Sequence, residues 1–264
     1  TALRTMFGCA LFSAEFFMSK HHIIFDFETV ALPYADFDET QREYLVRGAT
    51  TDEEKDKKIG EMALSPLTAK IVCVGLIIFE ETKDNDLVEV FRGAFVTDDS
   101  LPDGDYVPLT TNEGGIKIVC CNERSAIQRF WNALDKYKNA HLISFNGRNF
   151  DSPFIMLRSA LLRLHPSRNL MEGSRFNYRN HTDLIDELTF YERSSYGPMK
   201  RYNFDFYTKA FGITSPKSEG VDGSKVGELY AQGQLMEIAE YCLRDVQATW
   251  ELYCVWATYL KFSQ

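Results

Sequence analysis

The sequence lacks several features that would assign it to a familiar class. It contains no run of about 18 apolar residues, so neither a transmembrane helix nor a membrane partner is expected. None of its six cysteines forms a Cys-x-x-Cys pair, which argues against a zinc site and favours buried thiols in a reducing, cytoplasmic compartment. Excess positive charge is also missing, because the net charge is -9 at pH 7. Proteins that wrap nucleic acid broadly are normally basic, so any nucleic-acid contact would be confined to a small site with its own cations.

The remaining composition is that of a globular protein. The chain has 264 residues, of which 45% are hydrophobic and 25% charged, and this length can bury a sizeable core. We expect an N-terminal extension at 1–21 and a single domain at 22–264. Within that domain, two polar stretches at 33–67 and 97–115 are expected insertions, the first a helical surface segment and the second a loop.

Alternating strand and helix patterns indicate the architecture. The apolar runs that predict strands lie at 22–29, 69–81, 87–96, 116–121 and 140–147. The second and third runs are joined by KDND and predict an antiparallel hairpin, and a last short strand turns into a helix within 179–188. One helix is predicted after Asn122, a favoured N-cap, and a C-terminal helix from about position 235. This order favours one mixed-sheet α/β domain.

The segment IIFDFETV places two carboxylates within an apolar strand. Residues i and i+2 of a strand share a face, so Asp26 and Glu28 point the same way. No basic residue stands beside them in the sequence, and burying two like charges is costly unless a cation neutralises them. Oxygen ligands favour Mg²⁺ or Mn²⁺. A strand face turned to solvent is the alternative, and the triplet alone has little weight because it recurs at Asp52 and Glu54 in a charged run.

Two later segments supply further acids. Asp151 follows a predicted strand end, where α/β proteins place their sites, and Asn146 precedes it by five residues. Tyr241 and Asp245 lie one helical turn apart on one face, at the border of an apolar stripe. Each has an ordinary alternative: Asp151 before Ser-Pro is a common helix cap, and the other two can be a boundary tyrosine and a solvated aspartate.

The three segments occur in the order D-x-E, N-x-x-x-F-D and Y-x-x-x-D, which resembles the DEDD superfamily of 3′–5′ exonucleases in its tyrosine-bearing (DEDDy) branch. The histidine branch would have histidine where this chain has Glu240. HTDLIDEL, FDFYTKAFGI, EGVDGSKVGELY and IAEYCLRDVQATWELY are similar to stand-alone exonucleases related to the proofreading domain of family-B DNA polymerases. The resemblance spans residues 26–245 and implies a ribonuclease H-like fold, a five-stranded mixed sheet flanked by helices.

The resemblance also implies a chemistry. Two divalent ions, Mg²⁺ or Mn²⁺, would lie about 4 Å apart, and their ligands would be Asp26, Glu28, Asp151 and Asp245. Tyr241 would join these four as a catalytic residue that orients the attacking water. We therefore expect hydrolysis of phosphodiester bonds at the 3′ end of single-stranded DNA, with release of nucleoside monophosphates.

Substrate contacts are expected beside these motifs, at Thr29, Asn146, Phe150 and Lys225. Core packing is the alternative for Phe150 and the first expectation for Phe27, since Phe27 alternates away from the two acids. A solvated surface charge is the alternative for Lys225, and its Gly-rich segment lacks the spacing of a phosphate-binding loop. Other basic residues that could meet phosphates, or simply lie in solvent, are Arg148, Lys200 and Arg201.

Several functions stay open on the sequence alone. The expected partner is a single-stranded 3′ end, and DNA is favoured over RNA by the resemblance only, because no motif reads the 2′-OH. A 3′–5′ exoribonuclease with the same metal site, an inactive nucleic-acid-binding module and an α/β scaffold with coincidental motifs are the alternatives. These residues contain no polymerase domain, so the protein is expected to act alone or in trans, with any repair or replication partner unknown.

Overall fold

A computed structural model describes residues 21–84, 86–110, 115–192, 194–215 and 223–262. These residues form a seven-stranded mixed sheet. The strands are β1 (His21–Ala31), β2 (Ala69–Glu81), β3 (Leu87–Thr97), β4 (Val107–Pro108), β5 (Ile116–Cys121), β6 (His141–Ser144) and β7 (His181–Asp183). Their order across the sheet is β4-β5-β3-β2-β1-β6-β7. The extension expected at 1–21 lies outside the described residues, apart from His21, which begins β1.

Helices cover both faces of this sheet. They are α1 (Glu39–Leu45), α2 (Asp52–Glu61), α3 (Glu123–Lys136), α4 (Asp151–Leu161), α5 (Leu184–Leu188), α6 (Phe204–Ala210), α7 (Val226–Ala231) and α8 (Leu235–Tyr259). α3 begins at the predicted cap, because the Asn122 side chain accepts a hydrogen bond from the N–H of Ser125. None of the helices within the described residues is long and apolar enough to cross a membrane.

The alternation of β1 separates its residues between two cores. Phe25 and Phe27 pack with Phe130 of α3 in a core that also includes α4. Ile24 faces the other way and packs with Val246 of α8. Because side chains alternate along a strand, Asp26 and Glu28 lie on the α8 side. The predicted core role of Phe27 is confirmed, since the residue is buried and its ring centroid lies 5.2 Å from that of Phe130.

The strand pairing puts β1 at the centre of the sheet. β1 pairs antiparallel with β2 and parallel with β6, and β6 pairs parallel with β7. The predicted hairpin is present as the antiparallel pair of β2 and β3. β5 adds to β3 in parallel, and β4 adds to β5 antiparallel. The expected class, an α/β mixed sheet flanked by helices, is therefore confirmed.

The number of strands differs from the expected five. Two strands, β4 and β5, lie beyond β3 and extend the sheet at that edge. β4 falls within the stretch 97–115, which the sequence indicates as loop. It consists of only Val107 and Pro108, and proline is confined to edges and strand ends because it cannot donate to the ladder. The other stretch, 33–67, holds α1 and α2, and no residue of either helix is buried.

The cysteines match the expectation of buried thiols where they are described. Cys73, Cys120, Cys121 and Cys242 are buried, and Cys254 is half-buried. Cys9 lies outside the described residues.

Candidate active site

The face of β1 that carries the two acids is covered by α8, not by solvent. Glu28 is buried and Asp26 is half-buried. In the pairing of β1 with β2, Asp26 stands opposite Gly75 and Glu28 opposite Cys73, and the register shifts directly after Glu28. The solvent-facing alternative for this strand is therefore wrong.

Asp151 is brought to β1 by a direct hydrogen bond. The N–H of Phe27 donates to Asp151 Oδ1, with an N···O distance of 3.1 Å, between residues that are 124 positions apart. Asp151 is the first residue of α4; the capping position is Phe150, which makes no side-chain capping bond. The alternative of an ordinary helix-capping aspartate is wrong, because the carboxylate reaches across to the central strand.

The loop before α4 is held by an aspartate that sequence reasoning missed. Asp183, fully buried at the end of β7, accepts hydrogen bonds from the N–H groups of Asn146 (2.7 Å) and Arg148 (2.8 Å). Asn146 adopts a positive φ of 66°. A Cβ on Gly147 would lie 2.3 Å from Ser144 Oγ, so only glycine fits this turn. The one available signal was the position of Asp183 at the end of a strand neighbouring β6.

α8 supplies the remaining groups by packing closely on β1 and β2. Tyr241 is buried on α8, one helical turn before Asp245, and the charge of that carboxylate acts on its phenol. Cys242 Sγ lies 3.4 Å from the main-chain oxygen of Asp26. A Cβ on Gly75 would lie 2.7 Å from that sulfur, which shows why the helix can approach the sheet here. Sequence reasoning missed Gly75, because its pairing with Asp26 is visible only in the register.

Burial and mutual repulsion raise the pKa values of the acids. For Asp26 the largest cause is burial, followed by the charge of Asp151. For Glu28 it is burial, followed by the charge of Asp245. Burial raises the pKa of Asp151 to about 7, although the hydrogen bonds to its carboxylate act in the opposite direction. Burial, then the charge of Asp245, raises the pKa of the Tyr241 phenol. The four carboxylates and the phenol therefore share one electrostatic environment.

This environment fits divalent cations. Carboxylates that repel each other in a buried site are stabilised by an ion placed among them, and hard oxygen donors are the ligands that Mg²⁺ and Mn²⁺ prefer. Carboxylate oxygens of Asp26 and Glu28 lie within 4.8 Å of each other, close enough to hold one ion. The chemistry of the donors thus agrees with a metal site.

The expected substrate contacts Thr29 and Asn146 flank the acids. The Thr29 hydroxyl donates to the carbonyl oxygen of Ala63 (2.8 Å), so it also ties the 33–67 segment to β1. The Asn146 side-chain oxygen accepts from Asn149 (3.0 Å) and is half-buried. Contact of either side chain with substrate stays a prediction.

Phe150 and Lys225 lie in different surroundings. The ring of Phe150 is 5.4 Å from that of Phe154 at the edge of the core beneath α4, which supports the packing alternative. Lys225 is exposed immediately before α7, a helix that contacts β1. Contact of Lys225 with substrate stays a prediction.

Arg148 and Arg201, considered as phosphate contacts, have structural roles. Arg148 is buried; its guanidinium donates to two backbone carbonyl oxygens and stacks 4.0 Å from the ring centroid of Tyr178. Both the phosphate-contact and the surface-charge interpretations of Arg148 are wrong. Arg201 pairs with buried Asp186. Lys200 lies over the ring of Tyr202, at 4.8 Å.

Comparison with known protein sequences gives a family model and several relatives. Residues 112–261 match the family model of a predicted 3′–5′ exonuclease related to the exonuclease domain of PolB. The chain is 27% identical over 176 residues to the catalytic subunit of DNA polymerase epsilon from Aspergillus fumigatus, covering 64% of this chain and 8% of the polymerase. It is 27% identical over 150 residues to an uncharacterised protein of Methanocaldococcus jannaschii, covering 50% of this chain and 73% of that protein.

The fold is also similar to that of a DNA polymerase. The family B DNA polymerase from the hyperthermophilic archaeon Pyrobaculum calidifontis superposes with a TM-score of 0.52 at 17% identity, covering 92% of this chain and 25% of the polymerase. This likeness is consistent with the expected ribonuclease H-like fold. The chain spans only a small part of each polymerase that it matches. The matched family region contains Asp151, Tyr241 and Asp245, and β1 adds Asp26 and Glu28 from outside it. The family match covers more than half of the chain, which therefore belongs to the family of predicted 3′–5′ exonucleases related to the exonuclease domain of PolB.

Proposed function

We propose that this protein removes nucleotides from the 3′ end of single-stranded DNA by hydrolysis that depends on two divalent ions. The observation that carries the proposal is the convergence of four acids and one tyrosine from distant parts of the chain. The hydrogen bond from the N–H of Phe27 to Asp151 and the mutual effects of these groups on their pKa values support this convergence. The set comprises Asp26, Glu28, Asp151, Tyr241 and Asp245.

The acids are the proposed metal ligands, and three different elements hold them. Asp26 and Glu28 come from β1, Asp151 from the start of α4 and Asp245 from α8. Mg²⁺ or Mn²⁺ held by these ligands would lower the pKa of a bound water and offset the charge on a leaving oxygen. Ligands on three rigid elements favour a preorganised site over one that assembles on binding.

Tyr241 is the proposed group that orients the attacking water. Its phenol is buried, and the charges of Asp245, Glu28 and Asp26 all raise its pKa, which supports a position of the hydroxyl beside the acids. Thr29 and Asn146 stand at the two edges of the site, and exposed Lys225 is the candidate cation for the substrate backbone. A site this small accounts for nucleic-acid binding by a chain of net charge -9.

The test uses single-stranded DNA labelled at either end, with Mg²⁺, Mn²⁺ or EDTA. We expect a ladder of shortened products from the 5′-labelled strand and immediate release of labelled mononucleotide from the 3′-labelled strand, both abolished by EDTA. Shortening from the 5′ end, or turnover in EDTA, would contradict the proposal. Faster degradation of a matched RNA would favour the exoribonuclease, and binding without degradation would favour the inactive module.

A further inference from the structure

A buried thiol stands among the proposed metal ligands. Cys242 Sγ lies 3.9 Å from Asp26 Oδ2, and the donor atoms of Cys242, Asp26 and Glu28 are all within 4.8 Å of one another. The Cys242 side chain is fully buried, and a second fully buried thiol, that of Cys73, lies in the same core cluster. Asp26 is only half-buried, so this group of donors has an open side.

The thiol changes which cations the site can prefer. Mg²⁺ and Mn²⁺ prefer oxygen ligands and bind sulfur weakly, whereas thiolates favour Zn²⁺ and the softer cation Cd²⁺. Zinc binds sulfur at about 2.3 Å and carboxylate oxygen at about 2.0–2.2 Å in tetrahedral geometry. Two such ligands of one ion lie about 3.5 Å apart, so the 3.9 Å between Cys242 Sγ and Asp26 Oδ2 needs only a small adjustment.

We propose that Asp26, Glu28 and Cys242 form a mixed oxygen–sulfur site for thiophilic divalent cations of the Zn²⁺ and Cd²⁺ class, and that filling this site inhibits the enzyme. The thiol proton leaves to solvent as the sulfur–metal bond forms, so no oxidant or reductant is involved. The part concerning inhibition rests on the function proposed above. Because Asp26 and Glu28 belong to both sets of ligands, a cation bound with sulfur excludes the catalytic Mg²⁺ arrangement.

The binding step is tested without any nuclease assay. The full chain, stripped of metal with EDTA and then desalted, is titrated with CdCl₂ while the ultraviolet charge-transfer absorption of a thiolate–Cd²⁺ bond is recorded. We expect one saturable band in the wild type, loss of that band in Cys242→Ser, and retention of it in Cys254→Ser, a control on the same helix. Absence of the band in the wild type, or its persistence in Cys242→Ser, would overturn the proposal. Circular dichroism melts of each variant establish that the chain is folded.

Inhibition is tested separately, with each variant compared with its own activity in Mg²⁺ alone. ZnCl₂ is added against a fixed excess of Mg²⁺. Loss of the sulfur ligand should raise the Zn²⁺ concentration for half-inhibition by about tenfold or more, since even the outer partners of metal ligands change affinity by about 10–100-fold. An unchanged value in Cys242→Ser would overturn the inhibitory role. If the chain degraded no nucleic acid at all, the function proposed above would fail, while the Cd²⁺ titration would still decide the site.

Discussion

The main-chain N–H of Phe27 donates a hydrogen bond to the carboxylate of Asp151, 3.1 Å from nitrogen to oxygen. This bond joins the middle of β1 to the first residue of α4, and it sets the distance between Asp151 and the two acids of the strand. One carboxylate oxygen of Asp151 therefore has a structural task, in addition to the metal-ligand role proposed for this carboxylate.

Replacing Asp151 should separate these two tasks. Asp151→Asn keeps an oxygen that accepts from Phe27 but removes a charge whose pKa burial raises to about 7. Above that pH the folded state carries a buried charge that the unfolded state solvates freely. We therefore expect the metal-free variant to be more stable than the wild type by about 1–3 kcal/mol at pH 8, with little gain near pH 4, where the folded carboxyl is protonated and the unfolded one partly so.

The measurement is urea unfolding in EDTA at both pH values, together with nuclease assays in Mg²⁺. Asp151→Asn should be folded and inactive. Asp151→Ala, which also loses the acceptor for a buried N–H, should be less stable than Asp151→Asn by about 1–3 kcal/mol. Equal stability of the two variants would contradict the structural task assigned to the carboxylate.

Gly75 controls the distance between α8 and the acids. A Cβ at this position would lie 2.7 Å from Cys242 Sγ and 3.0 Å from Val246 Cγ2. Gly75→Ala should therefore push α8 outward and destabilise the protein by about 1–3 kcal/mol. It should reduce the rate of DNA hydrolysis far more than the affinity for DNA. The matched control is Gly60→Ala in exposed α2, where a Cβ meets nothing within 4 Å. That change should stabilise by about 0.5–1 kcal/mol and leave the rate unaltered.

The hydroxyl of Tyr241 can be removed with little change in packing. In Tyr241→Phe the ring still fills its buried position, but the hydroxyl one helical turn from Asp245 is lost. If the hydroxyl orients water, single-turnover rates should fall by about 100-fold, while the Mg²⁺ concentration for half-maximal activity changes little. A rate equal to that of the wild type would assign Tyr241 to packing alone.

His22 and His141, which are not among the acids of the site, also make the stability of the fold depend on pH. Burial lowers the pKa of His22 to about 4 and that of His141 to about 3, and their rings are 6.0 Å apart. The unfolded chain protonates histidine near pH 6.5, so acid favours unfolding as the pH falls from about 6.5 toward 4. His22→Gln should therefore gain about 1–2 kcal/mol relative to the wild type between pH 7.5 and pH 5. Urea unfolding at these two pH values measures the difference, and a pH-independent difference would exclude His22 as a cause.

The sequence predicted the parts of the site that depend on local pattern. The alternation of β1 places Asp26 and Glu28 on one face, and helical spacing places Tyr241 beside Asp245. The partner of Asp151 could not be predicted, because an aspartate before Ser-Pro has the same local pattern whether it caps its helix or reaches another strand. Gly75 and Asp183 were missed for a similar reason: their importance comes from strand register and from a neighbouring strand end, which are tertiary features.

Long side chains and short strands account for the other differences. Arg148 was expected at the surface, but its guanidinium finds carbonyl acceptors and an aromatic ring inside the fold, and those contacts offset its burial. β4 has two residues and contains Pro108, so neither its length nor its composition predicts a strand. The sequence patterns predicted β5 and five further strands, so β4 is the one strand of the seven that local signals missed, and the count of five came from the resemblance.

The central claim is that the acids of β1 bind the catalytic metal ions because they lie in a buried strand beside other acids. The chain provides a matched comparison. Asp26 and Glu28 form the triplet in the buried strand, whereas Asp52 and Glu54 form the same triplet in exposed α2. The decisive measurement is Mg²⁺-dependent shortening of 5′-labelled single-stranded DNA by Asp26→Asn and Asp52→Asn, both checked for folding. We predict that the first variant is inactive and that the second matches the wild type. An active Asp26→Asn protein would contradict the proposed metal site.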